Sequence, residues 1–367
     1  MGLDPFFFLP AFRGSVEVIS IIVGGTRYTA FERVMVGAAF NEAAREFRLE
    51  VAAEAGASAT NAIFRRGAEV QIFANSDLLL TGYVERRQPR FGPNEAQINV
   101  SGRSKSADLI DSSAKHETGS FEKMDPMEIG NAVSEGIAAR FVTDQVLEKL
   151  DQYQVSPGKT VYRTVEEMIR QMAMTITGTP DGNAKITKAG AERHAGGLFE
   201  GQNIKIGEAD HNDTNRHSEY TVLGQRPFDH GTDALEIAAI ARDAAVGRTR
   251  PIVIIQKEDT TKGRAKKRAR NRKDRAAGNG LKARITAQGF RDQAGKIWTP
   301  GHLVWTESPF LDIAQDMLIE RVELGQDRGG SLSSLSLVDP KAYDGAGAGG
   351  GKGNKSGADW KIGEDED

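Results

Sequence analysis

The side chains that could carry acid–base, metal or nucleophilic chemistry are thinly spread in this 367-residue chain. It has no cysteine, which removes thiol nucleophiles, thiolate metal sites and disulfides. The densest group of ligand-type residues is Asp210, His211, Asp213 and His217. Zinc and related ions take such groups, but this spacing matches no metal motif, and Asn212, Thr214 and Asn215 give the segment the character of a polar loop. No metal or other cofactor is expected there. Neither G-x-S-x-G nor H-E-x-x-H occurs. Gly345, Gly347 and Gly350 satisfy G-x-G-x-x-G, yet they follow no βαβ unit and open no helix, and the phosphate-binding loop pattern fails because position 346 is Ala. Glycoside hydrolysis needs two carboxylates flanking a bond. With 51 Asp and Glu, nothing in the order of residues selects such a pair. No catalytic residue is assigned.

Charge is the other possible carrier of function. The net formal charge of -3 favours no partner class. Locally, Lys262 to Arg275 holds nine Lys or Arg against the single Asp274. Phosphate contacts need only positive charge. No aromatic residue is interleaved, as base stacking on a single strand requires, so the stretch reads first as a solvated or subunit-facing helix meeting acidic surface on a neighbour. Its Lys266, Lys267, Arg268, Arg270 and Arg272 are interface candidates. So are Phe6, Phe7 and Phe8 near the start, and Trp360 in the last segment, because clustered aromatics outside a core mark contact surfaces. The Phe6 to Leu9 run is short, lacks a basic lead-in and meets Pro10, so it does not read as a signal peptide. No stretch approaches the ~20 apolar residues of a membrane-spanning helix. Folding in a cytoplasm is expected.

The elements that must position these residues fall into blocks. Val16 to Val23, Thr26 to Ala30, Phe47 to Val51, Val70 with Ile72, Leu78 to Val84 and Ala96 to Val100 read as strands, several with one apolar face. A closed or nearly closed small sheet would remove their edges. After about Ser113 the pattern changes. Asp125, Pro126 and Glu128 form a helix start, and Thr164 with Glu167 reads as a second capping box. Asp181, Gly182 and Asn183 place a turn between Met174 to Thr177 and Ala184 to Thr187. Met168 and Met172 read as core filling. From Tyr220 strands return at Tyr220 to Leu223, Ile252 to Ile255, Leu281 to Phe290, Leu303 to Thr306, Met317 to Leu324 and Ser331 to Val338. Asp233 to Val246 fits a short helix or a strand followed by a loop, and periodicity does not separate the two. Beyond Tyr343, seven glycines in Gly345 to Gly357 and the closing Glu364, Asp365, Glu366 and Asp367 form a segment too polar to fold alone. The fold class is therefore mainly β with an α+β insertion. Two similar sheets suggest duplication, although no sequence repeat is evident.

The run Ser101-Gly102-Arg103-Ser104-Lys105-Ser106-Ala107-Asp108-Leu109-Ile110-Asp111-Ser112-Ser113-Ala114 resembles the signature that closes the first barrel of Mu-type phage baseplate hub proteins. Gly25, Tyr28, Phe47 and Leu80 to Val84 agree with that barrel. Gly289-Phe290, Gly295 to Gly301 and Leu318 to Val322 are similar to the family's second barrel. The likeness runs over most of residues 15–343, and extends to the hub part of type VI secretion spike proteins. It implies an N-terminal arm (1–13), two tail-tube-like β-barrels (14–113 and 196–343) flanking an α/β domain (114–195), and a tail (344–367). It further implies a homotrimeric, pseudo-sixfold ring in the virion tail, made in the host cytoplasm and joining tail tube to central spike among other baseplate proteins, with DNA passing through. It implies no enzyme. The alternative is a tail-associated peptidoglycan hydrolase on the same fold.

Overall fold

The computed structural model describes residues 17–52, 63–92, 96–224, 237–256 and 261–343. Phe6, Phe7, Phe8 and Trp360 lie outside them. The first region holds β1 (Ile19–Val23), β2 (Thr26–Tyr28), β3 (Arg33–Ala39), β4 (Glu46–Ala52), β5 (Glu69–Ala74), β6 (Asp77–Phe91) and β7 (Ala96–Ser104). Alternation directs them: Val70, Ile72 and Ala74 of β5 are buried while Glu69 is exposed. After an intervening module come β13 (Arg193–Phe199) and β14 (Ile204–His211), then β18 (Leu281–Gln288), β19 (Leu303–Ser308), β20 (Ile313–Asp327), β21 (Gly330–Val338) and a 3-10 turn, Pro340–Tyr343.

These two sets are copies of one pattern. In the first, the hydrogen-bonded order is β3, β4, β7, β6, β5, β1; in the second it is β14, β18, β21, β20, β19, β13. Each set has a 15-residue strand paired to a 9-residue strand, with one bulge between them. The bulges superimpose Val84 on Ile319, Glu85 on Glu320 and Arg86 on Arg321, because Val84 and Arg86 face Gly102 and Ser101 as Ile319 and Arg321 face Leu337 and Ser336. One difference is that β1 runs antiparallel to β5 whereas β13 runs parallel to β19.

The mainly β character holds, but the ladders do not form two separate closed barrels. The two sets merge into one 13-stranded sheet through β20, whose residues Arg321 to Gln326 pair with β3. They also share one core, in which Phe47, Ile72 and Leu80 of one set join Ile285, Met317 and Leu335 of the other. Burying each such side chain contributes about 1.5–3 kcal/mol before entropy is counted.

The module between them contains α1 (Ala107–Asp111), β8 (Ser120–Met124), α2 (Pro126–Val133), β9 (Phe141–Thr143), β10 (Leu150–Gln154), α3 (Val161–Gln171), β11 (Thr175–Gly178) and β12 (Ala184–Thr187). It has its own core of Ile129, Phe141, Val165, Ile169 and Ile186. The Asp125 capping box before α2 is present, with the Met127 and Glu128 amides donating to its carboxylate. The second expected box is not: Thr160 caps α3, and Thr164 lies one turn inside, its hydroxyl donating to the Thr160 carbonyl. Arg45 bolts the module to the sheet, donating to the Gly178 and Leu79 carbonyls at 2.8 Å each. Burial, against the pull of Asp181, lowers its pKa to about 10.

The span 196–343 is likewise not one sheet. β15 (Glu219–Gly224), β16 (Ile237–Arg242) and β17 (Pro251–Gln256) form a separate three-stranded sheet, covered on one face by α4 (Lys262–Gly278). Val222, Ile237, Ala239 and Ala241 pack there against Ala265 and Ala269. Ile237 to Arg242 settles the ambiguous stretch as strand, while 233–236 lie outside the described residues.

Candidate functional site

The expected basic interface residues all sit on α4. Thr261 caps its N-terminus by accepting from the Arg264 amide. Since the small Ala265 and Ala269 face the sheet, Lys266, Lys267, Arg268, Arg270 and Arg272 point to solvent. None of these five forms an ion pair among the described residues, whereas Lys273 reaches Asp274 at 3.1 Å. Beside the helix, Ile254 of β17 with Arg264, Lys267, Arg268, Asn271, Arg272 and Arg275 lines a groove of about 540 Å³.

The four ligand-type residues noted in sequence do not converge as a set of ligands. The His211 ring lies 2.9 Å from the Leu311 carbonyl, and Asp213 pairs with Arg216 at 3.2 Å. Among the described residues no group of three or more His, Asp or Glu is placed to hold an ion.

A His and carboxylate pair that sequence spacing hides is buried instead. His194 Nδ1 lies 2.9 Å from Asp292 Oδ2, and its Nε2 accepts from the Thr299 amide at 3.1 Å. Burial lowers the His194 pKa although the Asp292 hydrogen bond opposes it. For Asp292, burial pulls upward, but hydrogen bonds from His194, Lys296 and Ala195 hold its carboxyl below the usual range. With both ring nitrogens engaged and both side chains at most 1% exposed, the pair braces the Phe290 to Gly301 turn and meets no substrate-accessible space. Gly301, at φ +84°, is needed there because the Phe40 ring occupies the place of a Cβ.

The Ser101 to Ala114 signature also has a physical reading. A Cβ on Gly102 would collide with the Tyr83 carbonyl and the Phe47 ring. Arg103 bridges Glu85 and Asp111, at 2.8 and 2.6 Å, and hydrogen bonds to Glu85 and then Asp111 raise its pKa. Ser104 and Ser106 share a buried 2.7 Å hydrogen bond, and Lys105 reaches Glu69 at 2.9 Å. The signature therefore ties the hairpin of β6 and β7 to the helix that opens the module.

Two strand edges without a ladder partner among the described residues were not evident in the sequence. Among the described residues, β5 leaves β6 at Tyr83, so the ladder of Arg86 to Phe91 is with β7, and the ladder of β14 is with β18. Phe91 is 90% exposed and Ile206 of β14 is 69% exposed. An edge strand with exposed large apolar side chains is a template for another strand.

Comparison with known proteins gives these surfaces a context. Residues 18–104 match the family model for the N-terminal domain of Mu phage baseplate assembly protein GpP-like chains, 106–188 the second domain of baseplate hub protein gp44-like chains, 216–272 the third domain of NMB1110-like tail proteins, and 260–346 the fourth domain of Mu phage GpP. Baseplate hub protein gp44 of Escherichia phage Mu is 23% identical over 341 residues, 89% of each chain. The 43 kDa tail protein of prophage MuSo2 from Shewanella oneidensis is 26% identical with a TM-score of 0.78, over 89% of this chain and 99% of that one. A tail protein of Neisseria meningitidis MC58 shares the fold at 18% identity and a TM-score of 0.69, over 88% and 96%. So does a chain of the Francisella PdpA-VgrG complex, at 8% and 0.53, over 89% and 59%. Four domain models in hub order, on a sheet built of two repeated halves, support one reading over most of residues 18–346: this chain is similar to the Mu-type phage baseplate hub proteins.

Proposed function

We propose that the chain is a structural hub subunit of a virion tail, three copies of which close into a pseudo-sixfold ring between the tail tube and a central spike. The observation that carries this reading is the repeated joint. Inside one chain, Arg321 to Gln326 of β20 accept β3, the outermost strand of the first half. The corresponding strip of the first half is Arg86 to Phe91, and the strand corresponding to β3 is β14. Each copy thus carries one half of the same joint at either end. Such a head-to-tail contact closes into a ring when its rotation divides a full turn. Six half-sheets in three chains match the pseudo-sixfold ring that the hub family implies, and closure would pair the β6 strip and β14 of every copy in one continuous ring of strands.

The superposition even supplies a register. Arg48 pairs with Ser101 as Arg284 pairs with Ser336, so Met35, opposite Arg48, corresponds to Glu208, opposite Arg284. Gly325 faces Met35 within the chain. Its counterpart Arg90 then faces Glu208 of the next copy, an opposite-charge pair directly across the joint.

In this reading the first hub half spans 14–113, the module 114–195, and the second half 196–343 with the β15 to α4 unit set within it. The ring would contact tube, spike and neighbouring baseplate proteins, and DNA would pass through its opening. Its role is assembly rather than catalysis; the buried His194 and Asp292 pair gives a hydrolase no exposed base. Native mass spectrometry or sedimentation of the purified chain, alone and with its cognate spike protein, tests the reading: a trimer is expected. A monomer under both conditions refutes it.

A further inference from the structure

We propose that the acidic C-terminal segment of this chain docks in cis on its own basic helix α4, with Trp360 in the groove beside Ile254 and Glu364 to Asp367 against the lysines of the helix's N-terminal turns. This inference is independent of the ring. It rests on charge, placement and length.

Charge comes first. Arg264, Lys267, Arg268, Asn271, Arg272 and Arg275 follow one another at helical spacing of three and four, so they share one face, and that face borders the groove. Lys262 and Lys266 extend the positive surface around the same N-terminal turns. The densest acidic run in the chain is Glu364-Asp365-Glu366-Asp367. Four consecutive carboxylates placed near the N-terminal end of a helix also gain from its dipole. Trp360 precedes them by four positions, and an indole fits a groove whose floor is Ile254 and whose walls are arginine and lysine stems, through apolar contact and cation–π attraction.

Placement is set by the 3-10 turn Pro340–Tyr343, where the described chain ends. That turn packs on the C-terminal end of α4: a Cβ on Gly278 would collide with the backbone at Ala342. The segment therefore departs from one end of the helix it is to cover. The 17 residues of α4 span about 25 Å. A glycine-rich chain of the 21 residues from Tyr343 to Glu364 has a root-mean-square reach of about 25 Å, by the random-coil relation for such linkers. The acidic run is thus delivered to the far end of α4 without stretching, at an effective concentration on the order of millimolar. The segment acts as an electrostatic cover that a more strongly anionic partner must displace.

The test uses the full chain treated at low concentration with a carbodiimide, which joins a carboxylate to an amine only where they touch. Peptide mapping is expected to find Glu364 to Asp367 joined to Lys262, Lys266 or Lys267 within single chains, and Arg264→Glu with Arg268→Glu is expected to remove those links. In parallel, fluorescent inorganic polyphosphate is titrated into the full chain and into a chain ending at Tyr343, which keeps every described core residue. Because the cover competes at millimolar effective concentration, the shortened chain should bind at least about tenfold tighter at low salt. Links from the acidic run only to other segments, or none at all, overturn the proposal. So do equal polyphosphate affinities for the two chains, the outcome expected if α4 serves a phosphate-bearing or protein partner unhindered.

Discussion

Reversing Arg90 or Glu208 gives the sharpest test of the proposed joint, because the register predicts their contact between copies while both are exposed within one chain. An opposite-charge pair directly across antiparallel strands contributes about 0.2–1 kcal/mol, and like charges cost a similar amount. Arg90→Glu or Glu208→Arg should therefore weaken each joint by about 1 kcal/mol. A ring of three chains contains three such joints. The summed loss of about 3 kcal/mol corresponds to roughly two orders of magnitude in the trimer's dissociation, at 1.4 kcal/mol per tenfold. Sedimentation velocity over a dilution series reads this directly, and because Glu208 is exposed, Glu208→Arg should leave the monomer's denaturation midpoint unchanged within about 0.5 kcal/mol. The double variant, Arg90→Glu with Glu208→Arg, should restore assembly. If both single variants assemble like the parent, or if the double variant is as weak as the worse single one, the register taken from the internal repeat is wrong.

Acid should weaken the fold through His302. Burial, with Lys296 and His194 adding to it, lowers its pKa to about 4 from an ordinary 6.5, while Glu192 opposes the shift. The unfolded chain then takes up the proton first, so the contribution is whole above pH 6.5 and is lost as pH falls from 6.5 towards 4, amounting to about 2 kcal/mol by pH 5. Urea midpoints measured between pH 7.5 and 5 should fall in the parent and fall less in His302→Gln; parallel lines would refute the assignment. Gly102→Ala should cost more than about 3 kcal/mol, because the new methyl overlaps the Tyr83 carbonyl and the Phe47 ring. Gly263→Ala, near the start of α4, meets nothing closer than the Thr261 hydroxyl at 3.9 Å and should stabilise by up to about 1 kcal/mol. Thermal or urea unfolding of the pair distinguishes a steric effect from a general effect of adding a methyl group.

Local features were readable from the chain where local physics decides them. The Asp125 cap, the turn at Asp181 to Asn183 and the alternation in β5 each depend on residues a few positions apart, and each is found. Thr164 and Glu167 mimic a capping box one turn after the cap at Thr160, a choice that propensity alone does not settle. The β15 to α4 unit was missed for a different reason. Two of its strands are legible one by one and the third, Ile237–Arg242, is ambiguous, but which sheet a strand joins depends on partners far along the chain, and α4 gives the core of that sheet only the small Ala265 and Ala269 among the described residues.

The repeat was hidden for the same reason as the edges it creates. Once the bulges align the halves, Val84-Glu85-Arg86 and Ile319-Glu320-Arg321 stand at equivalent places, yet three residues are too short a match to stand out in sequence. What the halves share is a pairing order, which many apolar sequences satisfy provided alternation is kept. The Arg86 to Phe91 strip reads as an ordinary polar strand, and β14 as a mixed one. Neither announces that its ladder has one side open among the described residues, because an edge is a property of the whole ladder. The counterpart of that strip in β20 is satisfied by β3, and its side chains are correspondingly more apolar: Val322 and Leu324 stand where Arg87 and Pro89 stand in β6. The difference follows if the strip in β6 must remain soluble until another chain arrives. Charge and proline blunt an edge against indiscriminate pairing, whereas a matched acid such as Glu208 on the incoming strand admits one partner in one register.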